Sequence, residues 1–313
     1  MKLLWDILVH QDNYPLVIAI IAGFLLAPLA TYTQPFIVPF LVITLTLSIS
    51  NVDLSKLVLK SLVKPITMAL FLNFIVLGGA IVLFGHLFTD DYNLRAGFLV
   101  LAVAPASLAI PLFTHKLKGN SFYSFVGIAS CFLASIILLP LIIKARFGNE
   151  IDSRDLLITL GQLIVLPLIL SQLRYLSNIW KRTESYHRQI INWCIAIICF
   201  SMIGINRDMI FTFPKYVVAP FLVAVITTFG LGYLILTFGK KLLINESSIV
   251  SMVLLGTMKK WALASVIAFK LFEPIATLPA VFGIVIGFIF FIWLNIRKAW
   301  VEQYNKIQTP GLK

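Results

Sequence analysis

Two adjacent lysines lie in an otherwise apolar part of the chain, and their charge calls for a chemical explanation. Lys259 and Lys260 separate an apolar stretch at 247–258 from another at 261–269, and neither stretch alone is long enough to cross a bilayer. A lysine at the bilayer centre costs about 2.5 to 3.5 kcal/mol on insertion scales, so its retention favours a function. The alternative is a pair at the interface whose ammonium groups reach water.

Two prolines interrupt a second apolar segment. Pro105 and Pro111 lie six residues apart, and each removes an amide donor and obstructs the helix before it. We expect the helix to open there, and likewise near Gly256 and Thr257 before the lysines. Unwound backbone is tolerated in a membrane where it is buried in protein or lines a wet cavity, and half-helix ends offer free N–H and C=O groups to a ligand. A helix that is merely kinked is the alternative.

The composition defines the environment of these segments. Of 313 residues, 60% are hydrophobic and 12% charged, and this charged share is about half that of an average soluble domain. The chain is therefore predicted to be an integral membrane protein. Its net charge of +12 is scattered between apolar runs instead of forming a basic face, which argues against nucleic-acid binding. The three cysteines lie in apolar runs without a CxxC motif and indicate packing residues, with no metal site.

Ten apolar runs, bounded by charged residues or by Pro, Asn and Gly, predict the topology. Most approach the roughly 20 residues that a helix needs to cross a bilayer, and they are too long and continuous for barrel strands. The fold class is thus predicted to be an all-α integral membrane protein with ten transmembrane helices. The runs are 15–32, 35–50, 63–86, 94–115, 121–146, 155–173, 189–205, 214–239, 247–269 and 278–296.

The distribution of basic residues predicts the orientation. Sixteen of the 25 Lys and Arg residues fall on the side that holds both termini and seven on the other, so both termini are expected in the cytoplasm, at a plasma membrane of the bacterial inner-membrane kind. Since five is odd, two five-helix halves, 1–153 and 154–313, would be inverted relative to each other, a common plan of secondary transporters. The broken run is the fourth of each half, which supports this division.

Several motifs resemble those of the bile acid:sodium symporter family. The segment 45–48 (Leu-Thr-Leu-Ser) looks like the start of the family's second-to-third span junction. The segment 104–107 (Ala-Pro-Ala-Ser), with Thr114 after it, is similar to the family's fourth span. The segment 256–261 (Gly-Thr-Met-Lys-Lys-Trp) is similar to the ninth-span crossing motif, which ordinarily reads Gly-Met-Gln-Asn. The likeness covers most of the chain and rests on the order and spacing of these motifs.

The resemblance implies an architecture and a site. It implies that the fourth and ninth spans cross at their unwound centres, and that a core of spans 3, 4, 5, 8, 9 and 10 moves against a panel of spans 1, 2, 6 and 7. A small organic anion would bind between them and cross by alternating access. The substrate-binding residues implied in this way are Pro105, Ala106, Ser107, Pro111, Thr114, Gly256, Thr257, Met258, Lys259 and Lys260.

The chain departs from the family where sodium ions bind. The family's acid falls within 254–256, which has none, and its Gln-Asn pair falls on Lys259 and Lys260, whereas Asn73 matches a third-span Gln and Ser124 a hydroxyl. A hard cation prefers oxygen ligands that include a carboxylate, so conventional sodium coupling is not expected. Either a lysine ammonium takes the place of the cation, leaving transport uncoupled, exchange-type or proton-coupled, or a lysine is the countercharge of the substrate.

These observations predict a secondary transporter of a small organic anion that uses no cofactor. A membrane enzyme lacks support, because no acid–base or metal constellation falls within the apolar runs. The alternative is a membrane sensor that keeps the transporter fold and binds an organic anion without moving it. The expected partners are the lipid bilayer and the anion, and neither the identity of the substrate nor the oligomeric state follows from the sequence.

Overall fold

Apolar helices form almost the whole of the described chain. The computed structural model describes residues 14–50, 62–148, 153–172, 186–242 and 244–308. Six of the helices in these ranges are long and apolar enough to cross a membrane, and shorter apolar helices complete the bundle. The predicted all-α membrane fold is therefore confirmed. The described helices that correspond to the ten predicted spans are, in chain order, Tyr14–Leu25, 27–50, Val63–Phe88, Tyr92–Val103 with Ile110–Lys116, Ser121–Phe147, 153–172, His187–Thr212, Lys215–Lys241, Glu246–Leu255 with Trp261–Leu271, and Leu278–Gln308.

The boundary between the first two spans differs from the prediction, which set it between 32 and 35. The first helix ends at Leu25, and Leu26 leaves the helical region with φ −115° and ψ 34°. Pro28 then begins a new turn, from which helical backbone continues to residue 50. Pro35 does not interrupt this segment, because it lies in the first turn of a short 3-10 helix, where its missing N–H leaves no hydrogen bond unmade.

Side-chain caps fix the start of three helices. The side chain of Asp91 accepts a hydrogen bond from the backbone of the fourth span, Asn120 caps the fifth in the same way, and Asn245 caps the ninth. Asp and Asn are strong N-caps because their oxygens satisfy N–H groups that have no partner within the helix. These polar residues therefore decide where the apolar sequence begins to be helical.

The fourth and ninth spans are interrupted, as the sequence predicts. Tyr92–Val103 and Glu246–Leu255 contain 12 and 10 residues. At 1.5 Å per residue they extend about 18 and 15 Å, roughly half the thickness of the hydrocarbon core. Each helix resumes after a short non-helical segment. Both breaks consequently lie near the middle of the bundle.

The third and eighth spans each contain a π-helical segment. Phe71–Gly78 and Ile226–Gly230 have this wider turn, and the polar side chains of Asn73, Thr227 and Thr228 within them are buried. Such segments often occur at functional sites. The third and eighth spans, which hold corresponding places in the two predicted halves, therefore both contain a π-helical segment, and the sixth span contains another at Gly161–Val165.

Close packing holds the interrupted spans in place. The seventh span lies against the first two, and the tenth lies against the eighth and ninth. At Gly97 the fourth span approaches the turn Pro274–Thr277 so closely that a Cβ atom would overlap the backbone of Ala276. Only glycine allows this contact between the two elements. It positions the half-helix that leads into the first break.

Candidate substrate and cation site

The unwound centres of the fourth and ninth spans cross and pair with each other. Ala106 and Lys259 face each other in an isolated antiparallel bridge. Two backbone hydrogen bonds flank it, from the N–H of Ser107 to the carbonyl of Met258 (3.3 Å) and from the N–H of Lys260 to the carbonyl of Pro105 (2.8 Å). Each broken span thus satisfies backbone groups that unwinding frees in the other, as a bilayer interior requires. The crossing implied by the resemblance is confirmed.

Local sequence explains why the helices open at these points. Ala104 is extended, with φ −62° and ψ 147°, because the ring of the following proline disfavours helical backbone in the residue before it. In the ninth span, Gly256 ends the first half-helix with φ −91° and ψ 2°. Lys260 has φ −78° and ψ 70° and precedes the second half-helix.

The ammonium of Lys259 lies inside the crossing with all three of its N–H groups paired. Nζ donates to the carbonyl of Ala102 at 2.6 Å, to the carbonyl of Ala104 at 3.0 Å and to Oδ1 of Asn73 at 2.9 Å. The residue is 1% exposed. An ammonium has three donors and no acceptor, so these partners saturate it. The charge joins the unwound backbone of the fourth span to the third span, as a bound cation would.

Asn73 joins this cluster to the ninth span. Its Nδ2 donates to the carbonyl of Leu255 at 3.0 Å while its Oδ1 accepts from Lys259. The ring of Phe74 lies next to it, with its centroid 4.7 Å from Nζ of Lys259, within the range of a cation–π interaction. No carboxylate in the described ranges pairs with this ammonium, so carbonyl dipoles, an amide and an aromatic ring surround the charge.

Lys260 is also buried, but its ammonium has a different environment. The side chain is 6% exposed and lines a cavity of about 150 Å³. Among the residues that the structure describes, its Nζ has no hydrogen-bond or ion-pair partner. Lys260 therefore contributes a basic side chain to the wall of this cavity.

The cavity lies between two groups of helices at the crossing. The first and seventh spans form one wall, and the fourth, ninth and tenth spans form the other. The rings of Phe113 and Phe291 stack at the wall with a centroid distance of 3.8 Å and an interplanar angle of 23°. No Asp or Glu is among the described residues that line the cavity. The space is therefore mainly apolar, with Ser107 and Asn192 in its lining and the two lysines at the crossing.

A second and much smaller cavity, of about 10 Å³, adjoins the crossing, and its volume suits at most about one water molecule. Lys259 and Trp261 line both cavities and so lie between them. The indole of Trp261 packs against Gly283 and Gly287 of the tenth span, where an added Cβ atom would overlap the ring. The glycines thus fix a tryptophan that separates the two spaces.

The other residues predicted for substrate binding fall in different places. Ser107 and Met258 line the larger cavity. Thr257 lines the smaller cavity, and its hydroxyl donates to the carbonyl of Val253 at 2.7 Å. Pro111 lies in the first turn of the half-helix Ile110–Lys116. Pro105, Ala106 and Gly256 shape the backbone of the crossing.

Thr114 and Ser124 are joined to each other instead of to the lysines. Their hydroxyl oxygens are 2.7 Å apart, and both residues are fully buried. They connect the fourth span to the fifth and line neither of the two cavities described above. The predicted roles of Thr114 in substrate binding and of Ser124 in coupling stay predictions.

Sequence reasoning missed the groups that hold Lys259. Two of its three acceptors are the backbone carbonyls of Ala102 and Ala104. Every residue has a carbonyl, so such partners cannot be recognised from the residue types in the sequence. The phenylalanines of the fourth and tenth spans that line the cavity were also missed. The carbonyl of Ala104 could have been predicted as a free acceptor, because a residue before proline avoids helical backbone and its carbonyl then points away from the helix axis.

The fold and this site define a class of protein: a multi-pass membrane transporter built around two crossing, broken helices. The chain belongs to the SBF-like CPA transporter family, whose model matches residues 40–291. The matched region includes both breaks and both lysines. The resemblance to the bile acid:sodium symporters is thereby confirmed. No curated protein matches the sequence significantly.

Proposed function

We propose that the protein is a secondary transporter that moves a small organic anion across the plasma membrane without conventional sodium coupling. In this proposal Lys259 replaces a bound cation, and Lys260 is the countercharge of the anion. The observation that carries it is the saturated hydrogen bonding of the Lys259 ammonium to Asn73 and to the carbonyls of Ala102 and Ala104. The sequence left the two roles of the lysines as alternatives, and the geometry supports one role for each.

Electrostatics favours the role given to Lys259. Three oxygen atoms lie within 3.0 Å of its Nζ, and a sodium ion at the same oxygens would be repelled by the ammonium. The ammonium is covalently attached and does not leave the site during a transport cycle. No sodium ion would then bind at this position, so a sodium gradient could not drive transport through it. Transport would be uniport, exchange or proton-coupled.

The position of the larger cavity, between the two groups of helices, supports alternating access. Phe113 and Leu16, which line the larger cavity, lie near span ends that the basic-residue count assigns to the cytoplasm. Leu77 and Phe98, which line the smaller cavity, lie in span halves assigned to the opposite side. All the spans that line the smaller cavity belong to the predicted core, so this cavity is not a space between core and panel. Movement of the core against the panel would close the larger cavity and open a path on the opposite side.

A comparison of sodium with potassium tests the proposal. We expect the melting temperature of the purified protein to be the same in either salt at equal ionic strength. The Lys270→Gln variant, altered at an exposed lysine of the same span, should behave like the wild type. Strong stabilisation of the wild type by sodium would show that an intact cation site exists and that Lys259 does not replace the ion.

Counterflow separates a transporter from a sensor. Proteoliposomes loaded with unlabelled carboxylate should take up labelled carboxylate from outside if the protein exchanges its ligand across the membrane. Empty liposomes and liposomes containing the Lys260→Met variant provide the controls. Binding of a carboxylate to the purified protein without any counterflow would instead support the sensor.

A further inference from the structure

We propose that a groove on the lipid-facing surface binds one acyl chain of a membrane phospholipid and that Arg95, at the end of the groove, binds the lipid phosphate. The groove lies between the third, fourth and fifth spans. It shares none of its described lining residues with the two cavities at the crossing. The lipid would therefore occupy a place of its own, whatever molecule the protein transports.

The groove has about the length of one leaflet of a bilayer. On the third span its lining extends from Phe74, near the middle of the bundle, to His86, in the last turn of the helix. This distance is about 18 Å along a helix, and half of the hydrocarbon core is about 15 Å. The lining of the fourth span lies in the half-helix Tyr92–Val103, and that of the fifth span lies near the end of Ser121–Phe147. All three walls thus occupy the same leaflet.

The surface of the groove is apolar and has room for a chain. A Cβ atom added at Gly79, in the lining, would meet no atom within 4 Å. Ile75 and Leu83 line the groove on the same span and are exposed, as is typical of a surface that contacts membrane. An open gap between side chains forfeits dispersion contacts. The hydrocarbon chains of the bilayer are the apolar groups available to fill it.

A fixed arginine lies at the end of the groove. Nε of Arg95 donates to the carbonyl of Thr89 at 2.8 Å, and Nη2 donates to the carbonyl of His86 at 3.3 Å and to the carboxylate of Asp90 at 2.5 Å. His86 itself lines the groove. Nη1 has no hydrogen-bond partner in the part of the chain that the structure describes. Its two N–H groups suit the oxygen atoms of a phosphate.

A second arginine lies on the same side of the groove end. Leu138, Ile142 and Arg146 follow one another at intervals of four and share a face of the fifth span, and the first two line the groove. The rings of Tyr92 and Phe147 are in contact, with centroids 5.8 Å apart, and join the ends of the fourth and fifth spans. Arginines from both spans therefore flank the place where a lipid headgroup would lie.

The acidic residues at this end do not cancel the positive charge at the groove. The carboxylate of Asp91 is engaged in capping the fourth span. The side chain of Asp90 is fully exposed, so its pairing with Arg95 is screened by water. One negatively charged phosphodiester between Arg95 and Arg146 would complement the remaining charge.

The inner end of the groove meets the residues that hold Lys259. Phe74 and Ala102 line the groove. The ring centroid of Phe74 is 4.7 Å from Nζ of Lys259, and the carbonyl of Ala102 accepts its hydrogen bond of 2.6 Å. An acyl chain in the groove would pack against both residues from the lipid side and limit their movement. A bound phospholipid is therefore expected to stabilise the crossing.

Lipid titration tests the phosphate site. Delipidated protein in detergent is titrated with dioleoylphosphatidylglycerol or with dioleoylglycerol, which has the same chains and no phosphate, and bound lipid is measured by native mass spectrometry. We expect one tightly bound phospholipid and about tenfold weaker binding of dioleoylglycerol, because charge-assisted hydrogen bonds are lost. Arg95→Gln should weaken phospholipid binding by a similar factor. Arg207→Gln, which removes an arginine bonded in the same way to a carbonyl and a neighbouring aspartate, should not.

Filling the groove tests the chain site. Gly79→Leu places a side chain in the open space, so both lipids should bind at least about tenfold more weakly. Gly161→Leu, at a glycine of the sixth span with equally open surroundings, is the matched control and should bind like the wild type. Ile142→Trp fills the groove from the fifth span and is the second variant if Gly79→Leu does not fold.

Three results would overturn the proposal. Equal affinity of the wild type for dioleoylphosphatidylglycerol and dioleoylglycerol would show that no phosphate is bound. Unchanged binding in Gly79→Leu and Ile142→Trp would show that the lipid lies elsewhere. A protein that retains no lipid but forms a dimer, which the groove-filling variants dissociate, would show that a second copy covers the groove.

Discussion

The ammonium of Lys259 donates a hydrogen bond of 2.9 Å to Oδ1 of Asn73, 186 positions earlier in the chain. The amide of Asn73 donates in turn to the carbonyl of Leu255, on the half-helix that leads to the lysine. One side chain of the third span thus holds the ninth span at two points. This relationship explains how a charge can remain within the crossing of two broken helices.

Replacement of Lys259 by methionine should destabilise the protein. The substitution keeps an unbranched side chain but leaves the carbonyls of Ala102 and Ala104 and Oδ1 of Asn73 without their donor. Each buried polar group left unpaired costs about 1 to 3 kcal/mol, so we expect a loss of about 3 kcal/mol or more. Thermal unfolding in detergent measures it. Lys270→Met, at an exposed position, should change stability by at most about 0.5 kcal/mol. Equal losses of stability in the two variants would show that the hydrogen bonds of Lys259 do not stabilise the crossing.

The hydrogen bond between Lys259 and Asn73 should appear as a coupling energy. In a double-mutant cycle with Lys259→Met and Asn73→Leu, the two losses should be non-additive by about 0.5 to 3 kcal/mol. Lys259→Met combined with Lys270→Met should be additive, because Lys270 lies near the far end of the helix Trp261–Leu271, roughly 13 Å along its axis from the helix start. Additive losses in the first cycle would mean that the contact contributes no stability.

Loss of the ammonium should create sensitivity to sodium. Lys259→Gln removes the charge and adds an amide oxygen next to the three oxygens that now accept hydrogen bonds from Nζ. Oxygen ligands without a competing charge suit a hard cation. Sodium should therefore raise the melting temperature of Lys259→Gln but not that of the wild type or of Lys259→Met, which adds no oxygen. If neither variant responds to sodium, these oxygens do not form a cation site.

Gly97 should tolerate no side chain. A Cβ atom would overlap the backbone of Ala276, whereas a Cβ atom at Gly79 would meet no atom within 4 Å. Gly97→Ala should destabilise the protein by about 1 to 3 kcal/mol through overpacking. Gly79→Ala, in a helix, should be neutral or stabilising by up to about 1 kcal/mol. Thermal unfolding of the pair checks the difference, and a harmless Gly97→Ala would show that the fourth span is free to shift.

The sequence predicted the helical fold well, because lipid permits few structures. Long apolar runs must be helical in a bilayer, where every backbone polar group needs an internal partner. The breaks at Pro105 and near Gly256 were also predictable, since proline and glycine act on their own local backbone. The boundary at residues 32–35 was misplaced, because a proline in the first turn of a helix does not interrupt it.

The sequence by itself also predicted that two lysines lie at a break, and the family resemblance pointed to Asn73 and to the missing acid. Only the tertiary structure distinguished the two lysines. Adjacent residues point in different directions, and the direction of each depends on the path of an unwound backbone that no helical periodicity describes. The partners of Lys259 are mainly carbonyls from the fourth span. Every residue has a carbonyl, so only the crossing of the two chains decides which ones meet the charge.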